Sequence, residues 1–433
     1  MTPTLHQRYQ ATVEFMFSQL PMYHRTGVQA YKKDVSNILA LMDFLGHPYR
    51  DFPCIHVAGT NGKGSTAHMI SAVLQSRGLK TGLFISPHYR DYRERIKLNG
   101  QLLEKRFVVD FIEEIRPALE AIHPSFFEMT VAMAFTYFSR QKADVAVIEV
   151  GLGGRLDSTN VIHPLLSVIT NISFDHMHLL GDTLPLIAGE KAGIIKSGIP
   201  VVIGETHPES APVFLKKAEQ MNAPIVFADQ HYRAEVVEED FHHTVFDVYR
   251  DGALRFPALK ANLTGGYQQK NIQTALQAME LLAPRFQLED RHIREGLGNV
   301  KSLTRLIGRW DLIRESPRVL TDSAHNEAGI RMAIDQLAQI PFERLHIVFG
   351  VVNDKDLSGI LSLLPKEARY YFAKADIPRG LEAPELKRKA LAYGLDGRAY
   401  SSVKHAFRAA RRHAKKEDLI FIGGSIFVVA EVI

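Results

Sequence analysis

The sequence lacks the features that would point to a membrane-embedded, secreted or disulfide-linked protein. Its 433 residues include a single cysteine, Cys54, so no disulfide can form within the chain, and a reducing compartment is indicated. No uninterrupted apolar run approaches the roughly 18 residues of a membrane-spanning helix. The N-terminal stretch MTPTLHQRYQ does not show the basic and then apolar order of a secretory signal. We therefore expect a cytoplasmic protein with no membrane partner.

A strong charge excess, tandem repeats and low-complexity segments are also missing. The formal net charge is +4, which suits small anionic ligands and gives no reason to expect nucleic acid. Cys54 opens an apolar run and is expected to be buried packing rather than a nucleophile. Because 433 residues exceed the size of one ordinary hydrophobic core, two domains are expected.

Apolar runs and helical patterns alternate from residue 53 to the C-terminus, which is typical of an α/β fold with a largely parallel sheet. The predicted strands of the first series are 53–58, 79–85, 144–150, 165–171, 199–203 and 224–228. The predicted helices between them are 65–77, 104–122, 128–141, 185–197 and 208–221. Around 233–257, short alternating segments that flank Asp251-Gly252 predict a β-hairpin in a small antiparallel sheet.

A second βα series begins at Arg318. A helix is predicted near 267–283, and the polar stretch that follows to about residue 300 carries no predicted element. Strands are then predicted at 318–324, 344–350, 368–374 and 418–424, and we place a domain boundary near residue 303. The basic segment from Lys404 to Lys416 has Val403, Phe407, Ala410 and Ala414 on one face, so it predicts an amphipathic helix packed on the second domain rather than a nucleic-acid site.

The most informative segment is HVAGTNGKGST, residues 56–66, which lies between a predicted strand and a predicted helix. Glycines let backbone N–H groups turn toward phosphates, and the helix N-terminus adds a favourable dipole. Lys63 would reach the β- and γ-phosphates of ATP, and the hydroxyl of Ser65 or Thr66 can approach Mg²⁺. In the usual P-loop pattern the hydroxyl residue follows the lysine directly, whereas Gly64 intervenes here; a plain glycine-rich turn is the alternative. The predicted ATP-binding residues of the loop are Gly59, Thr60, Asn61, Gly62, Lys63, Gly64, Ser65 and Thr66.

Glu149 ends the third predicted strand. A buried carboxylate is costly without a partner. At the C-terminal edge of a parallel sheet, beside a phosphate loop, the natural partner is Mg²⁺. The alternative is a carboxylate that caps a neighbouring loop.

The string AGTNGKGST resembles the loop of the folylpolyglutamate synthase/dihydrofolate synthase family, which is related to the Mur cell-wall ligases. Six further segments resemble the same family in the same order, and together they are far more specific than any one of them. These segments are FISPH (84–88), EVGLGGRLDSTN (149–160), Asp175-His176, EKAGIIK (190–196), Gly308-Arg309 and DSAHN (322–326). The resemblance implies a P-loop-containing, mostly parallel α/β domain over 1–302, with a small antiparallel subsheet, and a smaller Rossmann-like α/β domain over 303–433.

The same resemblance implies a metal environment. It assigns two Mg²⁺ sites and leaves room for a monovalent cation. It also implies that Lys191 is carbamylated by CO₂, which requires a neutral amine and would be helped by desolvation. The alternatives are a solvated Lys191 and a structural His176. The implied metal-site residues are Ser65, Ser86, Glu149, His176 and Lys191.

Nucleotide and substrate contacts are implied in the same way. Asn271 matches a residue that contacts the adenine, Arg309 one that contacts phosphate, and Asp322 one that contacts the ribose. His325 matches a residue on the amino-acid side of the site. The implied catalytic residues are Lys63, Lys191 and His325. The alternative for Asp322–Asn326 is a helix N-cap with local turns. The alternative for the segment with Glu128 is also a helix cap. The implied substrate-binding residues are Glu128, Thr130, Gly153, Gly154 and Arg155.

The activity that the resemblance implies is an ATP-dependent ligation. A substrate carboxylate becomes an acyl phosphate, L-glutamate attacks it, and the acceptor is 7,8-dihydropteroate or a reduced folate. We expect a monomer that closes around ATP, with a hinge near residues 298–308. One alternative is a Mur-type ligase of UDP-linked peptides, which would need a nucleotide-sugar domain before the loop. A non-ligase P-loop NTPase and an inactive homologue are the others.

Overall fold

The computed structural model describes residues 3–21, 34–353 and 357–433. The chain divides into two compact units. Unit 1 comprises Met1–Val237, Val245–Asn262 and Gln269–Arg305, and unit 2 comprises Glu238–Thr244, Leu263–Gln268 and Leu306–Ile433. The single boundary placed near residue 303 stays a prediction. The two short segments of unit 2 that precede residue 269 were not anticipated from the sequence.

Unit 1 is built on an eight-stranded sheet. Its strands are β1 (Cys54–Ala58), β2 (Thr81–Phe84), β3 (Ile96–Leu98), β4 (Gln101–Leu102), β5 (Val145–Glu149), β6 (Leu166–Ile169), β7 (Val201–Ile203) and β8 (Ile225–Phe227). They pair in the order β4-β3-β2-β5-β1-β6-β7-β8. Every pairing is parallel except β2 with β3 and β3 with β4. The C-terminal ends of β1, β5 and β6 therefore lie side by side at one edge of the sheet.

The central strands form because their sequences are apolar on both faces. Every residue of CIHVA, VAVIE and LSVI is buried, as expected for parallel strands covered by helices on both sides. The helices of unit 1 before the small sheet are Leu5–Gln19, Ser36–Phe44, Lys63–Ser76, Lys105–Glu114, Arg116–Ile122, Phe126–Arg140, Met177–Leu180, Leu184–Ala192, Ala211–Gln220 and Ala228–His231. Short 3₁₀ turns cover Pro48–Arg50, Tyr92–Arg95 and Ser158–Val161. Cys54 is buried, as predicted, and burial raises the pKa of its thiol to about 12.

Two expectations for unit 1 need correction, and two short strands were not predicted. The helix predicted over 104–122 is two helices, because the chain turns at Ile115 and Pro117 then starts the second one. The stretch to residue 300 is not irregular: after the helix Gln268–Phe286 it forms Asp290–Gly298 and Val300–Thr304. The antiparallel strands β3 and β4 were not predicted, since three and two residues are too few to show a period.

A three-stranded sheet follows β8. Its strands are β9 (Tyr232–Glu239), β10 (Thr244–Arg250) and β11 (Ala253–Ala261), in the order β11-β10-β9. The turn between β10 and β11 is Asp251-Gly252, with φ of 49° and 82°. Two positive φ angles are what a two-residue hairpin turn requires. The predicted hairpin and small antiparallel sheet are confirmed.

Unit 2 contains a six-stranded sheet. Its strands are β12 (Asp311–Glu315), β13 (Arg318–Thr321), β14 (Leu345–Phe349), β15 (Arg369–Ala373), β16 (Gly397–Tyr400) and β17 (Leu419–Gly423), in the order β12-β13-β17-β14-β15-β16. Only β12 is antiparallel to its neighbour. The helices are Glu327–Leu337, Ser358–Leu363, Ala383–Leu391, Val403–His413 and Ile426–Ala430. Ile347 and Phe349 pack on one face of the sheet and Val348 on the other, so unit 2 has an apolar core on each side.

The helix Val403–His413 confirms the predicted amphipathic helix. Val403, Ala406 and Ala410 are buried against the sheet, and Phe407 is partly buried beside them. Across the part of the chain that the structure describes, no helix combines the length and the apolar character needed to cross a membrane.

Candidate active site

The glycine-rich loop connects β1 to the helix Lys63–Ser76, at the C-terminal edge of the unit 1 sheet. Gly59 has a φ of 141° and Gly62 a φ of 80°, conformations that residues with a side chain rarely adopt. A β-carbon at Gly59 would collide with Thr170 Oγ1, and one at Gly62 would collide with Asn271 Oδ1. Backbone conformation and close packing therefore both require glycine at these two positions.

Residues that follow β6 hold this loop in place. Asn171 accepts from the loop twice: its carbonyl from Thr60 N and its Oδ1 from Asn61 N, each at 2.9 Å. Thr170 Oγ1 donates to Asn61 O at 2.5 Å, and Thr60 Oγ1 donates to the carbonyl of Ser173 at 3.1 Å. Sequence reasoning did not identify Thr170, Asn171 or Ser173. The available signal was their position directly after the strand that pairs with β1.

Two lysines converge on one carbonyl of the loop. Lys63 Nζ donates to Gly59 O at 3.0 Å and to Thr60 O at 3.1 Å, and Lys191 Nζ donates to Gly59 O at 2.9 Å. Lys191 is buried on the helix Leu184–Ala192. Desolvation, reinforced by the charge of Lys63 and opposed by Asp175, lowers the pKa of Lys191 to about 7. Lys191 is therefore not a solvated helix residue, and about half of its amine is neutral near pH 7.

Glu149 lies beside the loop because β5 pairs with β1, where Val57 is opposite Glu149. Its side chain is buried, and the backbone N–H of Ser86, two residues after β2, donates to Glu149 Oε2 at 3.3 Å. Arg95 is a buried charge nearby. Desolvation lowers the pKa of Arg95 to about 10, although the charge of Glu149 opposes this shift. Arg95 Nε hydrogen-bonds His88 Nδ1 at 2.8 Å.

The donor atoms at this edge fit a magnesium ion. Ser65 and Thr66 are buried in the first turn of the helix, and Thr66 Oγ1 has no hydrogen-bond partner within the described residues. Hydroxyl and carboxylate oxygens are the protein ligands that Mg²⁺ prefers, and it keeps further positions for water and phosphate oxygens. No group of three His, Cys, Asp or Glu side chains suited to a metal occurs in the described residues.

His176 precedes the short helix Met177–Leu180 and has a left-handed backbone, with a φ of 50°. Its Nε2 lies 3.8 Å from Asp175 Oδ1, and its ring centroid is 6.4 Å from that of His178. Asp175 also contributes to the electrostatics of Lys191. The metal role of His176 stays a prediction.

The predicted substrate residues Glu128 and Thr130 lie in the first turns of the helix Phe126–Arg140. Glu128 forms a capping box: it accepts from Ser125 N at 2.6 Å, and Ser125 Oγ accepts from Glu128 N at 3.2 Å. Thr130 Oγ1 donates to Phe126 O at 2.6 Å and lies 3.3 Å from Tyr92 Oη. The capping alternative is thus confirmed for Glu128, and its substrate role stays a prediction.

The loop after β5 packs against the helix that carries Lys191. Gly153 has a φ of 67°, and a β-carbon at Gly154 would approach the carbonyl of Glu190 to 2.8 Å and that of Lys191 to 3.0 Å. Arg155 pairs with Glu190 at 2.8 Å, and its side chain is half exposed. These contacts hold the end of the helix against the loop. Substrate binding by Gly153, Gly154 and Arg155 stays a prediction.

In unit 2, Asp322 follows β13 and is buried. It accepts three hydrogen bonds, from Tyr267 Oη at 2.8 Å, Trp310 N at 3.0 Å and Ala324 N at 2.8 Å. Desolvation raises the pKa of Asp322 despite these donors and the nearby charge of Arg309. Asp322 therefore holds the segment before it and the turn after it in place, and its predicted ribose contact is untested.

The other predicted residues of unit 2 cluster around Ser323. Arg309 Nη1 donates to Ser323 Oγ, and His325 Nδ1 lies 3.1 Å from Ser323 O. Asn326 caps the helix Glu327–Leu337, since its Oδ1 accepts from Gly329 N at 2.9 Å. The N-cap alternative therefore holds for Asn326. Asn271 belongs to unit 1, where it lies buried beside Gly62.

A glycine-rich loop after the central strand, with a lysine in its helix and a carboxylate at the neighbouring strand end, defines a P-loop nucleotide-binding α/β protein. The Mur ligase middle domain family matches residues 57–279, and the Mur ligase glutamate ligase domain family matches residues 308–426. The chain is 34% identical over 421 residues to the dihydrofolate synthase/folylpolyglutamate synthase of Bacillus subtilis, covering 93% of this chain and 94% of that protein. It is 33% identical over 435 residues to the folylpolyglutamate synthase of Lacticaseibacillus casei, covering 98% and 97%. The chain therefore belongs to the folylpolyglutamate synthase/dihydrofolate synthase family of Mur ligases.

Solved structures agree with this assignment. Escherichia coli FolC in complex with DHPP and ADP matches with a TM-score of 0.86 and 29% identity, covering 100% of this chain and 98% of that one. Mycobacterium tuberculosis folylpolyglutamate synthase complexed with ADP matches with a TM-score of 0.87 and 30% identity, covering 99% and 98%. The predicted fold class, a P-loop α/β domain followed by a Rossmann-like domain, is confirmed.

Proposed function

We propose that this protein is an ATP-dependent ligase that adds L-glutamate to 7,8-dihydropteroate, to the γ-carboxylate of a reduced folate, or to both. One observation carries the proposal. The glycine-rich loop with Lys63 and the buried Glu149 lie at adjacent strand ends, in a chain that matches Mur ligase domains over residues 57–279 and 308–426. Relatives with this architecture are named dihydrofolate synthase/folylpolyglutamate synthase, and solved relatives contain ADP and DHPP.

The residues of the loop account for phosphoryl transfer without a side-chain nucleophile. Backbone N–H groups of the loop bind the phosphates of ATP, and Lys63 turns from the Gly59 carbonyl toward the γ-phosphate. The substrate carboxylate takes the γ-phosphoryl group and becomes an acyl phosphate. The amine of L-glutamate attacks the carbonyl carbon, phosphate leaves and an amide forms. Positioning and charge stabilisation supply the rate enhancement.

Ser65, Thr66 and Glu149 would hold Mg²⁺, His176 and Lys191 would hold a second ion, and Ser86 would belong to the same metal environment. Bound magnesium neutralises phosphate charge during the transfer. As a carbamate, Lys191 would supply an anionic oxygen ligand to the second ion: its neutral amine adds to CO₂, one proton is released, and the side chain becomes an anion. The low pKa of Lys191 supports this proposal, because a protonated amine does not react with CO₂.

Several finer assignments rest on the family resemblance alone. They are nucleotide binding by Asn271, Arg309 and Asp322, and a role for His325 on the amino-acid side. A monovalent cation, a hinge near residues 298–308, a monomeric state and a cytoplasmic location are also predictions. None of them is needed for the ligase proposal.

Phosphate release tests the proposal directly. Release from MgATP is measured with dihydropteroate or tetrahydrofolate, with and without L-glutamate, and the product is identified by mass. We expect release that requires both the acceptor and glutamate. Release that ignores both would instead identify a P-loop NTPase, and release that requires a UDP-linked peptide would identify a Mur-type ligase. Either outcome would refute the proposal.

Two substitutions test the site. Lys63→Ala and Glu149→Ala should abolish turnover while the fold is retained, and the exposed Lys216→Ala on the helix Ala211–Gln220 is the matched control. Circular dichroism and thermal unfolding check the fold. Turnover like that of the wild type in either variant would remove that residue from the site.

A further inference from the structure

Unit 2 contains a cleft lined by arginines that the proposed reaction does not use. The cleft has a volume of about 340 Å³. One wall is the turn between β12 and β13, and the other is the helix Val403–His413. The lining residues are Arg314, Pro317, Arg408, Arg411 and Arg412.

The three helical arginines lie on one face of their helix. Arg411 and Arg412 follow Arg408 by three and four residues, a spacing at which side chains on a helix are neighbours. Neighbouring like charges destabilise a helix unless another interaction compensates. Cations in the last turn do favour the helix dipole, which accounts for Arg411 and Arg412. The dipole does not account for Arg408, nor for Arg314, which reaches the cleft from a strand.

In the part of the chain that the structure describes, no carboxylate lies within ion-pair distance of these arginines. Within the described residues none of the four forms an ion pair; Arg314 Nε donates to the carbonyl of Ser316 at 2.8 Å, and Arg411 lies 5.7 Å from the ring centre of Phe407. The surrounding segment 397–416 contains no Asp or Glu, although the whole chain carries a net charge of only +4. Its lysines and arginines are Arg398, Lys404, Arg408, Arg411, Arg412, Lys415 and Lys416.

The chemistry of the lining restricts the ligand. Guanidinium groups bind carboxylates and phosphates through paired hydrogen bonds, and several of them around one cleft match several anionic groups on one ligand. The lining contains no aromatic side chain, so it lacks the stacking surface on which single-stranded nucleic acids depend. The four arginines are exposed, so the cleft is an open surface groove with room for a small molecule.

We propose that this cleft is a binding site for a small polyanion that carries at least two carboxylate or phosphate groups. If the proposed function holds, one source is a product whose glutamate chain presents one free carboxylate for each residue added. The other source is a free polyphosphate. The binding site itself does not depend on the proposed function.

Calorimetry with the full-length protein tests the proposal. The probes are γ-linked tetraglutamate and tripolyphosphate, at about 50 and about 200 mM salt, which give screening lengths above and below about 10 Å. The variants are the double substitution Arg408→Gln/Arg411→Gln and the control Arg388→Gln, an exposed arginine on another helix of unit 2. We expect saturable binding of at least one probe, a loss of tenfold or more in the double variant, and no change in the control. Tetraglutamate bound with this pattern identifies the glutamate chain as the source, and tripolyphosphate bound alone identifies phosphate.

Binding that does not saturate, or that Arg388→Gln weakens equally, would overturn the proposal. So would tighter, cleft-dependent binding of a single-stranded oligonucleotide than of either probe. Phosphate release in the ligase assay is measured in parallel, and the double variant should retain it. A wild-type protein without ligase turnover would refute the proposed function but would leave the calorimetric comparison intact, so the two failures are distinguishable.

Discussion

Replacing Lys191 with methionine should stabilise the protein while abolishing its activity. Lys191 is buried, and its pKa falls from 10.5 to about 7 on folding. Between these values the unfolded chain binds more protons than the folded chain, so the stability of the wild type rises with pH. At about 1.4 kcal/mol per pKa unit, this burial costs about 4 kcal/mol at pH 7 and about 2 kcal/mol at pH 9. Methionine has a similar length and carries no charge, so it avoids this cost.

The measured quantity is the difference in the free energy of unfolding between the variant and the wild type, and the test is how this difference changes with pH. Urea unfolding of the wild type and of Lys191→Met is compared at pH 7 and pH 9, in buffer free of CO₂ so that the lysine stays unmodified. The stability advantage of the variant should shrink by about 2 kcal/mol between the two pH values. Packing and hydrogen-bond changes, including the loss of the donor to the Gly59 carbonyl, do not depend on pH and cancel. The exposed Lys216→Met is the matched control and should show no such trend.

An advantage that stays constant from pH 7 to pH 9 would refute the reasoning, because the lysine would then titrate alike in the folded and unfolded states. A variant that is less stable than the wild type by the same amount at both pH values would do so as well. The loss of turnover in Lys191→Met is a test of the carbamate that is separate from the stability measurement. Labelled CO₂ provides the accompanying measurement on the wild type. Incorporation of ¹³C-labelled CO₂ into the wild type should rise by about tenfold from pH 6 to pH 8 at a fixed concentration of dissolved CO₂, as the neutral fraction of a group with a pKa near 7 does.

Three other substitutions probe the loop and the capping helix. Thr170→Val removes the donor to Asn61 O and should weaken ADP binding by about 1 to 2 kcal/mol in calorimetry, with little change in far-UV circular dichroism; unchanged affinity would mean that the loop is held without it. Gly62→Ala adds a β-carbon at positive φ that meets Asn271, so phosphate release should fall by at least tenfold, and a variant with normal release would show that the loop relaxes freely. Glu128→Gln keeps a capping side chain, so the free energy of unfolding should change by less than about 0.5 kcal/mol. A large rise in the KM for the acceptor would then assign Glu128 to substrate binding. An unchanged KM would leave it as a helix cap.

Much of the fold could be predicted because the strands that form it are buried on both faces. Segments such as CIHVA and VAVIE are continuous apolar runs with a glycine-rich or polar boundary, and each predicted strand of the first series lies within two residues of the observed one. The loop could be predicted because glycines, lysine and hydroxyls occur in a fixed local order. These signals require only residues that are close in the sequence.

The features that were missed depend on distant contacts or on weak periodicity. The helix Asp290–Gly298 is polar over most of its surface, so its apolar face was too narrow to recognise. Thr170 and Asn171 look like the ordinary end of a strand, and their role exists only because β6 pairs with β1. A desolvated Lys191 could be anticipated only from the family resemblance, because a lysine in a helix is normally solvated.

The shared acceptor at Gly59 has a consequence for the binding step. When Lys63 leaves for a phosphate, Lys191 still donates to the Gly59 carbonyl, whereas the Thr60 carbonyl loses its Lys63 donor. The lysine of the loop can therefore change partners without leaving the Gly59 carbonyl unpaired. One of the two donors to this carbonyl thus stays in place while the other moves to the nucleotide.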